Sequence, residues 1–127
     1  MIKVQKKKYP LSGNTIVDEW FLTLIDALKK GIEAIHLKQV LRDPDDLRKE
    51  LFGLLTEGKI YLGKRKHRNK KEPLVKTLIH ELLHEVLPIS SHKRIRNFEK
   101  FLWILFTDNQ KRYLRRYIPK HTVKKDP

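Results

Sequence analysis

No run of apolar residues in this sequence is longer than six, at residues 101–106, and that limit decides how the chain can bury itself. A helix that crosses a membrane needs roughly 20 apolar residues, and the Lys-rich start MIKVQKKKYPLSG has no apolar leader segment. The sequence therefore predicts neither a membrane span nor a signal peptide, and a cytoplasmic location. The core has to be assembled from amphipathic pieces. At 127 residues the chain is the size of one domain, so a single domain over residues 1–127 is expected. A 39% hydrophobic content is enough for a small core even beside 35% charged residues, which excludes a disordered chain. Cysteine is absent. That removes disulfides, thiolate metal sites and thiol nucleophiles, and leaves His, Asp, Glu, Ser and Lys to carry any chemistry. The single Met and abundant Lys, Arg and Glu fit a protein from a thermophile, where ion-pair networks gain value.

The pattern along the chain alternates between strand and helix periods. Residues 2–6 alternate apolar and polar and read as a short opening strand, ended by Pro10, Ser12 and Gly13. Asn14 or Thr15 starts a helix that carries Trp20, Phe21, Leu24, Ile25 and Leu28 and stops at Gly31. Residues 32–41 are apolar on both faces and read as a strand. Asp43 and Pro44 look like a helix start, with Leu47, Leu51, Leu54 and Leu55 carrying that helix to Gly58. Next comes a β-favouring segment, Lys59–Gly63, and the basic run 64–71, which reads as an exposed turn or loop. Three helical stretches follow: about 73–87, stopped by Pro88; one capped by Ser90 or Ser91, carrying Ile95, Phe98, Leu102 and Phe106; and 110–117.

Within the helix after Pro73 stands His80-Glu81-Leu82-Leu83-His84, an H-E-x-x-H sequence. Residues four apart lie on one helical face, so His80 and His84 can offer two imidazoles to one metal ion. Glu81 sits about 100° further round, where it can reach an attacking water without ligating the metal. Val75, Leu78, Ile79, Leu82, Leu83 and Val86 form the apolar side of this helix, and the histidines border it. Two histidines and a glutamate can also meet on a helix by chance, since only three positions are fixed. A catalytic zinc site takes three protein ligands. His92 is one candidate for the third, but the segment between lacks the glycine of the H-E-x-x-H-x-x-G-x-x-H pattern and contains Pro88 instead. Glu99 is the better candidate, because it falls on the apolar face of the next helix, where a carboxylate needs a cation, a hydrogen bond, a proton or a metal.

His80-Glu81-Leu82-Leu83-His84 followed by Glu99 on the next helix resembles the gluzincin metallopeptidases, and the chain length resembles their minimal members, the minigluzincins. The resemblance implies a zinc peptidase with His80, His84 and Glu99 as metal ligands and Glu81 as the general base. It implies an α+β, zincin-like fold: a small mixed three-stranded sheet packed on three to four helices, including the active-site and glutamate helices. Lys59–Gly63 would be the edge strand that holds an extended peptide or protein substrate. The tail, residues 118–127, would block the cleft of a latent zymogen, with His121 near the metal. His92, Tyr113 and His121 are the candidates to stabilise the oxyanion.

A formal net charge of +14 leaves other readings open. The charge gathers at residues 6–8, 64–71 and 111–125, which gives nucleic acid a reason to approach. The H-E-x-x-H motif with such a charge also resembles SprT-like proteases that act on DNA-bound proteins and use a third His. A non-catalytic, basic nucleic-acid-binding protein is the remaining alternative. A monomer is expected.

Overall fold

The computed structural model describes residues 9–124 and 127. The expected opening strand, residues 2–6, lies outside them. Helix α1 (Thr15–Asp26) begins where Asn14 accepts hydrogen bonds from the amides of Ile16 and Val17, and its last turn widens into a π turn, Ala27–Gly31. Asp18 in the first turn is buried and accepts from the Ser12 amide and hydroxyl, the Gly13 amide and Gln110 Nε2. Five strands follow: β1 (Ala34–Lys38), β2 (Arg42–Asp43), β3 (Asp46–Glu50), β4 (Gly53–Thr56) and β5 (Lys59–Gly63). Then come α2 (Lys64–Lys70), α3 (Leu74–Val86), α4 (His92–Leu105) and α5 (Asp108–Arg115).

The architecture is α+β, with a mixed three-stranded sheet in the order β1-β5-β4 and a separate β2–β3 ribbon. β1 runs parallel to β5 from Ala34 opposite Lys59, and β4 runs antiparallel to β5 from Gly53 opposite Leu62. One apolar core joins Phe21, Leu24, Ile60, Leu62, Leu78, Leu82, Ile95, Leu102 and Leu114, drawn from α1, the sheet, α3, α4 and α5. Five α-helices surround the sheet among the described residues, one or two more than expected, and none is long and apolar enough to cross a membrane.

Three local expectations are corrected. Residues 43–58 are strands, not a helix. The Asp43 carboxylate accepts the Asp45 amide and makes a turn at Pro44, and Glu57 and Gly58 both take positive φ, 51° and 75°. That pair is the mirror-image turn that joins two strands with two residues, and it forces β4 and β5 to pair. The leucines matched a helical spacing, yet Leu47 is 68% exposed, so no helical face needed it for burial. Lys59–Gly63 is the central strand rather than an edge; its neighbour β4 is the edge. The basic run 64–71 is mostly helical, because Lys and Arg are good helix formers and the stretch contains neither Gly nor Pro. Its anchor is His67, buried between the Gly63 carbonyl at 2.6 Å and Thr77 Oγ1 at 2.7 Å.

Among the described residues, the C-terminal segment does not line the histidine cleft. Thr122 bridges Leu37 on β1, the Val123 amide donates to the Leu37 carbonyl at 2.8 Å, and Lys38 Nζ reaches the Lys124 carbonyl at 3.1 Å. That places the tail on the outer side of β1, two strands away from β4.

Candidate metal centre

Helix α3 has no side-chain N-cap; it starts after Pro73, whose fixed φ suits a helix start, and packs Val75, Leu78, Ile79, Leu82 and Leu83 into the core. That orientation leaves His80 and His84 half-buried, one turn apart along the edge of the apolar face. The chain then reverses through residues 87–91. Leu87 closes on the Leu83 carbonyl, Ser90 on the Leu87 carbonyl, and Ser91 caps α4 by accepting the Arg94 amide at 3.2 Å. Helix α4 consequently opens with His92 beside α3.

The three imidazoles converge. His80 Nε2 and His84 Nε2 are 3.1 Å apart, and one ligand atom from each of His80, His84 and His92 lies within 4.8 Å of the others. Ring centroids are 4.8 Å apart for His80–His84, 4.9 Å for His80–His92 and 5.5 Å for His84–His92. Two nitrogens bound to one tetrahedral zinc at about 2.0–2.1 Å stand roughly 3.3 Å apart, so the His80–His84 pair has the required separation. Burial, and then the neighbouring imidazole His80, lower the basicity of His84 and His92, which favours the neutral form that ligates.

Glu99 lies two turns along α4 and is buried. Its Oε1 accepts from His80 Nδ1 at 2.9 Å, and its Oε2 is 4.0 Å from Lys76 Nζ, which also pairs with Glu72 at 3.6 Å. A proton held at His80 Nδ1 by a carboxylate leaves the Nε2 lone pair directed at the cluster. The structure thus brings all four residues together, with His92 among the converging donors and Glu99 behind His80. From sequence both lay on the same helix. Which one meets the other histidines is set by the tight reversal at Pro88, and a sequence pattern carries little information about that angle.

Glu81 projects from α3 toward β4 and is buried; burial, opposed by the field of His80 and helped by that of Glu99, pushes its carboxyl up to about 7. The β4 backbone presses on it: a Cβ placed on Gly53 would lie 2.5 Å from Thr77 Cγ2 and 3.0 Å from Glu81 Oε2. Gly53, Thr77, His80, Glu81, His92 and Glu99 line a cleft of about 370 Å³. Arg96, one turn beyond His92, reaches the same cleft and was not singled out from sequence, although its i+4 spacing from His92 was a usable signal. Of the other oxyanion candidates, Tyr113 packs against Tyr9 and Phe21, and His121 is exposed on the segment beside β1; neither lines the cleft. His67, counted from sequence as part of a basic run, instead fixes Thr77 in the cleft wall.

No family model, no curated protein and no solved structure matches this chain. The reading of the site rests on its own residues.

Proposed function

We propose that this chain is a zinc-dependent peptidase of a small zincin-like type. The observation that carries the reading is the convergence of His80, His84 and His92 on one point, with Glu99 bonded behind His80 and Glu81 at the strand edge beside them. Three imidazole donors with a carboxylate supporting one of them fit zinc by donor chemistry, and the His80–His84 pair fits it by spacing. Zinc, when bound, supplies the Lewis acidity that makes water nucleophilic near neutral pH and polarises a carbonyl.

The remaining work falls to the chain. Glu81 takes the proton from the attacking water on its carboxylate and later delivers it to the leaving amine, the role of a general base turned general acid. His80 Nδ1 stays protonated against Glu99, so its ring does not turn. Among the described residues β4 pairs with β5 alone, and Gly53 at its start lines the cleft, where an extended peptide can add along the other side of β4 as a further strand. Arg96 offers donors where negative charge develops on the substrate oxygen.

Elemental analysis of the purified chain, with hydrolysis of a denatured protein followed in parallel, tests this. About one zinc per chain and cleavage in the wild type, with zinc kept and cleavage lost in Glu81→Gln, is the expected result. A wild type that takes up no zinc, or an unchanged rate in Glu81→Gln, overturns it.

A further inference from the structure

A groove of about 800 Å³, larger than the histidine cleft, is formed by α5, the start of α2, Leu37 at the sheet edge and the C-terminal segment. Its rim carries Lys64, Arg112, Arg115, Arg116 and Lys120, and no acidic residue lines it. Some cations elsewhere are paired locally, as in Lys30–Asp26, Arg65–Glu50 and Lys76–Glu72. None of the five rim cations forms an ion pair among the described residues. Arg112 donates only to Asn109 Oδ1, and Arg116 lies over the Tyr113 ring at 5.1 Å. Five like charges around one groove repel each other, and an anion that spans them relieves that repulsion.

The floor narrows the choice of anion. Leu37, Leu74, Ile118 and Tyr113, the last beneath Arg116, line it with apolar side chains inside the charged rim. A duplex presents phosphates outward and keeps its bases stacked inside, so it would leave such a floor uncovered. A single strand offers phosphates to the rim and base faces to the floor. We infer that this groove binds single-stranded nucleic acid through Arg112, Arg115, Arg116, Lys64 and Lys120. Two of the three basic stretches of the sequence, 64–71 and 111–125, meet here, the former through Lys64 alone, so the C-terminal stretch supplies most of the contact. The groove touches α3 at Leu74, ten residues or about 15 Å along the helix from His84, and the inference does not depend on the peptidase reading.

The test is anisotropy of a fluorescein-labelled fifteen-nucleotide dT strand with the full chain, titrated at several salt concentrations. Arg112→Gln/Arg115→Gln/Arg116→Gln should weaken binding at least tenfold and lower the slope of log K against log salt by about two, since each lost phosphate contact removes about 0.7. A second variant, Lys64→Gln/Lys120→Gln, should act in the same direction. Lys49→Gln/Lys93→Gln/Arg94→Gln, which removes equal charge from exposed positions outside the groove, should change binding less than threefold. Thermal unfolding of each variant confirms that it is folded. Equal losses in the groove and control variants, no saturable binding of the strand at 0.1 M salt, or equal or tighter binding of a hairpin duplex or a poly-glutamate peptide would each overturn the inference.

Discussion

α3 stands between two opposite electrostatic problems. On the side that meets α4 charges are linked in a chain: Glu72 meets Lys76, Lys76 approaches Glu99, and Glu99 receives His80 Nδ1. Beside Leu74, at its first turn, the neighbouring cations of α5 and the tail have no acidic partner among the described residues. A closed polar network holds side chains in one arrangement, as a compact metal ion requires, because a half-satisfied network in low dielectric is costly. An open array of exposed cations tolerates many ligand positions, as a flexible polyanion requires. One helix therefore separates the proposed metal centre, which depends on fixed geometry, from the proposed strand-binding groove, which depends on charge density.

The sharpest way to break this contrast is to remove donors one at a time. His80→Ala, His84→Ala and His92→Ala should each weaken zinc binding more than a hundredfold in a competition titration, whereas Glu99→Gln should cost about 10–100-fold, the usual effect of losing a residue that orients a ligand. A larger loss in Glu99→Gln than in His92→Ala would move the carboxylate into the ligand set. Next in size, Glu81→Gln should lower turnover on a peptide substrate by about 10²–10⁴-fold with zinc content unchanged, the contribution typical of a positioned proton carrier.

Smaller effects test the packing that supports each end. Gly53→Ala places a methyl against Thr77 and Glu81, and should cost about 1–3 kcal/mol in urea unfolding while reducing turnover. At the other end Asp18 ties α1 to α5 through Gln110. Burial works to raise its pKa, but the bonds from Ser12, Gln110 and Gly13 prevail and hold it below 3.8. Its folded value lies under its unfolded value, so the stabilisation is present above about pH 4 and disappears as pH falls through the folded value. Asp18→Asn should be less stable by about 2 kcal/mol at pH 7, with the gap to wild type narrowing at pH 3.

Sequence was informative where one periodicity and a cap agreed. Asn14 with α1 and Ser91 with α4 were legible because burial and local bonding point the same way, and the apolar side of α3 was legible from periodicity alone. It failed at residues 43–58, where leucine spacing suggested a helix while the decisive information was the turn at Glu57 and Gly58. His80, Glu81 and His84 were legible because one helix fixes their relation. The order of His92 and Glu99 around them was not, since it follows from how α4 docks on α3. The groove was invisible as such: its residues span positions 10 to 120, and only the fold brings them together.

The two-residue turn at Glu57 and Gly58 also bears on the order in which the molecule assembles. β4 and β5 meet across adjacent sequence, and such hairpins close in about 1–10 μs. β1 must reach β5 from Ala34 to Lys59, enclosing the β2–β3 ribbon on the way, and longer closures cost more entropy. Loop closure therefore favours the strand edge beside Glu81 over the β1–β5 pairing, which lies on the far side of the sheet from the histidines.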